Sequence, residues 1–112
     1  MRKLILILFL GFTSVSFSQN TSIPDSNFEQ ALIDLGYDTA PINGSVPTAN
    51  ISGVTSLNVS SNNITDLTGI EDFTALTTLD CTSNQLTSLD VSKNPALTTL
   101  YCNSNQLTSL DV

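Results

Sequence analysis

From Leu76 onward the chain writes one pattern of apolar and polar positions twice. Leu76, Leu79, Cys81, Asn84, Leu86 and Leu89 return as Leu97, Leu100, Cys102, Asn105, Leu107 and Leu110, every one displaced by the same step (100 − 79, 105 − 84). A looser copy precedes them in Val54, Leu57, Val59, Asn62, Ile64 and Leu67, with an offset longer by a single position (84 − 62). Inside each copy the apolar residues alternate with polar ones: Leu79 and Cys81 with Thr78, Asp80 and Thr82; Leu100 and Cys102 with Thr99, Tyr101 and Asn103. A period of two predicts a short strand with one face inward. One such strand cannot bury its face alone, whereas units stacked at a fixed period bury each other's. The pattern therefore predicts parallel strands roughly 4.8 Å apart, over a core of Leu57, Val59, Ile64, Leu67, Leu79, Cys81, Leu86, Leu89, Leu100, Cys102, Leu107 and Leu110.

After each strand the chain must turn, and its backbone groups lose their ladder partners. An inward amide offers two donors and an acceptor to those groups, so Asn62, Asn84 and Asn105, all in one phase, are expected to form an internal asparagine ladder. The alternative is that each is an ordinary turn residue. A finer repeat relates Leu79-Asp-Cys81 to Leu89-Asp-Val91 (89 − 79), so the return path from Leu86 to Asn94 is expected to be extended. The earlier return path carries Ile70, Phe73 and Leu76 at helical spacing and fits a helical or 3₁₀ turn. Ahead of the repeats, Asp25 to Leu35 reads as a helix. Asp25 caps it, Phe28, Ala31, Leu32 and Leu35 form one apolar stripe, and Gly36 stops it.

The copies spell L-x-x-L-x-L-x-x-N-x-L-x-x-L, the pattern of the leucine-rich repeat. The chain resembles bacterial secreted and surface leucine-rich-repeat proteins, internalin-like ones among them, and the short Bacteroidetes-type repeats with Cys in the strand. The resemblance runs from Ser22 to Val112 and is strongest from Val54. It implies a solenoid with a short parallel sheet on the concave side, a 3₁₀ or extended convex side, and an N-terminal helical cap. The organisation expected is a signal peptide at 1–18, a cap with an irregular first rung at 19–53, and repeats at 54–112. With Asp111-Val112 at the phase of Asp90-Val91, a truncated, N-terminal piece of a longer protein is expected.

The secretory expectation rests on the segment from Met1 to Ser18. Arg2 and Lys3 precede an apolar run from Leu4 to Phe12, and Ser16 and Ser18 offer a small-x-small cleavage site. A retained anchor helix is the alternative, although the run is short for a membrane span. Removing this segment takes two of the three bases and changes the net charge from −7 to −9. A chain this acidic repels phosphate backbones and anionic lipid. Neither nucleic-acid binding nor membrane insertion after cleavage is expected, and the location expected is extracellular, secreted or at the cell surface. Asp38 and Asn43 hint at a calcium loop, but Ala40 and Pro41 stand where ligands are needed. Cys81 and Cys102 occupy the inward slot one rung apart; a disulfide and a pair of reduced core thiols are the two readings, and parallel side-chain directions favour the second. Two Cys and no His do not make a zinc site.

No cofactor is expected and no catalytic constellation is visible, because no His accompanies a nucleophile and the repeated Asp80, Asp90 and Asp111 read as a solvated face. The leading expectation is a non-catalytic module that binds a protein or glycan through its concave sheet, at Ser56, Asn58, Ser60, Thr78, Asp80, Thr82, Thr99, Tyr101 and Asn103. Tyr101 is the one aromatic of that face, and aromatics dominate binding hot spots. The alternative is a structural spacer or cap of a larger secreted protein with no ligand of its own.

Overall fold

The computed structural model describes residues 19–112; the signal-peptide expectation for 1–18 lies outside the described residues. The chain opens with β1 (Asn20–Ser22), paired antiparallel to β2 (Ser45–Pro47) with Thr21 opposite Val46. Asn20 to Pro24 reads as a linker in the sequence. Its first part is instead a strand, because the backbone of Ser45–Pro47 offers it a ladder that three polar residues do not advertise. Thr21 is buried, and its hydroxyl donates to the Asp72 carboxylate at 2.8 Å.

Between these strands lies α1 (Ser26–Asp34). Asp25 caps it as expected: one carboxylate oxygen accepts the Asn27 and Phe28 N–H groups at 2.8 and 3.1 Å. The other oxygen reaches the first repeat, accepting from the Thr65 and Asp66 N–H groups at 2.9 and 3.0 Å. One side chain thus satisfies orphan donors of the helix and fixes the helix to the rung beside it. Burial would raise the Asp25 pKa, but the donors from Thr65, Phe28 and Asp66 outweigh it and hold the carboxyl below its ordinary value. Phe28, Ala31 and Leu32 are buried, and Phe28 stacks on Phe73 with ring centroids 6.2 Å apart. Leu35 departs from the expected stripe and is 45% exposed. It lies past the last helical residue, where Gly36 at φ +88° turns the chain away, a conformation that favours glycine.

The repeats carry two parallel sheets. β3 (Ser56–Asn58), β4 (Thr78–Asp80) and β6 (Thr99–Tyr101) form one; β5 (Ser88–Asp90) and β7 (Ser109–Asp111) form the other. Leu57 faces Leu79, which faces Leu100, the register dictated by the offsets between copies (79 − 57 and 100 − 79). Leu89 faces Leu110 in the second sheet. The earlier return path holds a 3₁₀ turn at Ile70–Asp72, with Ile70, Phe73 and Leu76 buried. One core runs from Ile23 through Val91, with Leu97, Leu100, Cys102 and Leu107 partly buried against it. Leu110 corrects the expected core: it is 44% exposed, because β7 is the edge strand of its sheet and no described strand stacks on its far side.

Candidate functional site

The outward face of the first sheet is built by alternation. With Leu57, Leu79 and Leu100 turned inward, their neighbours form two outward columns: Ser56, Thr78 and Thr99 in register, and Asn58, Asp80 and Tyr101 in register. Ser60, Thr82 and Asn103 continue the face where the strands end; the Ser61 N–H donates to the Thr82 carbonyl and the Ser83 N–H to the Asn103 carbonyl, at 2.9 and 3.0 Å. All nine residues read from the sequence therefore share one surface. Ser56, Asn58, Tyr101 and Asn103 are exposed, while Ser60, Thr78, Asp80, Thr82 and Thr99 are half-buried.

Several of these side chains are already engaged. The Asn58 Oδ1 accepts from the Ser60 N–H and hydroxyl at 3.0 and 2.7 Å, and the Asp80 Oδ1 accepts the Thr82 N–H at 3.0 Å. The Thr82 hydroxyl donates to the Asn103 Oδ1 at 3.2 Å. These bonds stiffen the strand ends and orient the polar groups. Tyr101 stands 53% exposed at the end of its column. Asp80 is the one charged member of the nine.

Below this face lie the asparagines. Asn84 is buried, and its amide donates to the carbonyls of Val59, Cys81 and Thr82 at 3.0, 2.9 and 3.3 Å. Its Oδ1 accepts the N–H groups of Asn62 and Ile64, both at 3.0 Å. Asn105 repeats the scheme one rung on, donating to Cys81, Cys102 and Asn103 and accepting from Leu86. Asn62 does not: its amide donates to the Ser60 carbonyl at 2.8 Å, within its own turn. The segment before it, Ser45–Asn50, is a strand and 3₁₀ turn, so no rung of like shape presents the missing carbonyls. Asn94 belongs to no column read from the sequence. It is buried and donates to the Ile70 and Phe73 carbonyls at 2.9 and 3.2 Å; its phase relative to Asn84 (94 − 84) was the available signal.

Cys81 and Cys102 are both free thiols, the first buried and the second partly so. Burial, then the neighbouring Cys102 and Asp80, push the Cys81 pKa up to about 12, so it carries no thiolate at physiological pH. On the other side of the molecule a cavity of about 350 Å³ opens beside β5, where Asp66, Glu71, Asp90 and Lys93 converge. The Ser92 hydroxyl and N–H hold Asp90 below the usual carboxylate range. No cluster of three or more His, Cys, Asp or Glu side chains that could hold a metal ion occurs among the described residues. No described helix is long and apolar enough to cross a membrane.

Known proteins share this geometry. The family model for leucine-rich repeats in two copies matches residues 52–94. Internalin J of Listeria monocytogenes serotype 4b (strain F2365) is 40% identical over 77 residues, which is 69% of this chain and 8% of that protein. A solved functional domain of InlJ from Listeria monocytogenes, a structure that includes a cysteine ladder, is similar with a TM-score of 0.73 at 39% identity, covering 88% of this chain and 22% of the other. The CBM51-2 and INT domains from Clostridium perfringens ZmpB are similar with a TM-score of 0.64 at 26% identity, covering 77% of this chain and 18% of theirs. The chain thus spans a minor part of each relative's length.

Proposed function

We propose that this chain, which belongs to the internalin-like leucine-rich-repeat proteins, is a non-catalytic extracellular module that holds a protein or glycan against its three-stranded sheet, the concave side of such repeats. The observation that carries the reading is the registered column Asn58, Asp80 and Tyr101, with an exposed aromatic ring at its end. A flat row of hydrogen-bonding groups beside one large amphipathic ring is what protein and glycan surfaces engage. The described residues hold ten Asp and Glu side chains and one lysine, which favours a partner surface with basic or neutral polar character.

In this reading residues 1–18 are a signal peptide removed on secretion, 19–53 a cap that covers the apolar end of the first rung, and 54–112 the repeats. Asp25 supports the cap assignment, since its carboxylate joins the helix to Thr65 and Asp66. The test is retention on an array of proteins and glycans, repeated with Tyr101→Ala and Asp80→Ala. Both variants are expected to lose a retained ligand; Tyr101→Ala keeps the wild-type thermal midpoint, whereas Asp80→Ala also gives up the Thr82 N–H bond and melts slightly lower. Undiminished retention removes the sheet from the binding role. It then favours a second reading, a spacer within a larger secreted protein with no ligand of its own.

A further inference from the structure

Two carboxyl groups are buried together in the N-terminal unit. Glu29, on α1, is 0% exposed. Its two oxygens accept the Asn43 N–H at 3.2 and 3.1 Å, and one also accepts the Gly44 N–H at 2.7 Å. Asp38 is 7% exposed, and its Oδ1 accepts the Thr39 N–H at 2.9 Å. Its Oδ2 is buried and accepts from no protein donor, and the Glu29 side chain lies beside it.

Two adjacent carboxylates out of water, with no basic side chain beside them, are a costly arrangement. The one base among the described residues, Lys93, lines the cavity beside β5 instead. The other charged groups of the unit are occupied elsewhere: Asp25 by Asn27, Phe28, Thr65 and Asp66, and Asp34, on the exposed side of the helix, by the Gln30 amide. The β1 and β2 strands and the Asn43-Gly44 turn bring no titratable side chain, and Tyr37, beside Asp38 in the chain, brings no positive charge. A carboxylic acid, by contrast, supplies a donor where Asp38 Oδ2 has none.

We infer that Asp38 carries a proton on its Oδ2 and donates it to a Glu29 oxygen, which fastens the 37–44 loop to α1 as a pH-sensitive clasp. Burial first, and then the hydrogen bond and charge of Glu29, raise the Asp38 pKa, against the opposing Thr39 N–H. Between the ordinary aspartate value and this raised one, the folded chain holds a proton that the unfolded chain has released. Stability therefore falls as pH rises across that window and levels off above it. This inference is independent of what the sheet binds.

The test is carboxyl-carbon NMR of the full chain, labelled at Asp and Glu, across a pH titration. Asp38 is expected to titrate above the ordinary aspartate value. Asp38→Asn, whose amide donates where the proton did, is expected to raise the thermal midpoint near neutral pH and to flatten its fall with pH. Titration of Asp38 at or below its ordinary value overturns the inference, since that measurement needs no variant. So does a calcium chloride addition at neutral pH that shifts both carboxyl signals and stabilises the wild type but not Asp38→Asn, because a divalent cation would then be the occupant.

Discussion

Asn84 uses its whole amide on the backbone, and this makes it the residue on which the inside of the second turn depends. Replacing it by Ala strands the N–H groups of Asn62 and Ile64, each costing about 1–3 kcal/mol when buried without a partner. Asn84→Ala is expected to lower the unfolding free energy by about 3 kcal/mol, and Asn62→Ala, which gives up one bond within its own turn, by less than about 1 kcal/mol. Urea titrations of both variants check the ordering; equal losses would contradict it. The recurrence of Asn84 as Asn105 is readable in the sequence, whereas the exception at Asn62 is not, since it arises from the shape of the preceding segment. Glu29 was equally illegible. Helical spacing marks Phe28, Ala31, Leu32 and Leu35, and says nothing of the distant Asn43 and Gly44 N–H groups that draw a carboxylate inward.

Among the elements, the joint between β1 and the first repeat leaves no room for a side chain at Gly69. Gly69 adopts φ +108°, and a Cβ there would stand 2.8 Å from the Ser22 carbonyl oxygen and overlap the Ile23 side chain. A positive φ of this size costs about 1–3 kcal/mol for a residue with a side chain, and the overlap adds to it. Gly69→Ala is expected to destabilise by about 2 kcal/mol or more. Gly53→Ala, where nothing lies within 4 Å, should stay within about 0.5 kcal/mol of wild type. Thermal melts of the pair make the comparison, and a mild Gly69→Ala would show that β1 yields easily. Elements with periodic apolar residues were legible: the register of β3, β4 and β6 follows from subtracting positions in the repeats. β1 was not, because three residues with one inward side chain leave no period to count, and its partner β2 comes only after the whole of α1 and its loop.

For the whole molecule, stability is distributed along a stack in which each turn contacts its neighbours. Burial is essentially complete for Leu57 and Leu79, partial for Leu100 and Leu107, and least for Leu110. Amide hydrogen exchange should follow this gradient, with β6 and β7 exchanging first and β4 and α1 retaining protection longest. Uniform protection from β3 to β7 would instead indicate a single cooperative block. The candidate surface was legible at this scale because alternation assigns every outward residue of a strand at once. The clasp was not, because it joins a helix to an irregular loop through side chains that no repeat generates.

The second turn has strands on both its sides: β4 pairs with β6, and β5 with β7, each with its counterpart one copy later. Front and rear then advance by the same inter-strand step, roughly 4.8 Å, so nothing wedges one side open relative to the other. The preceding turn differs, with a 3₁₀ segment at Ile70–Asp72 behind its strand. A coil lengthened by copies of the second turn would keep that even step on both sides and space its outward side chains at one pitch.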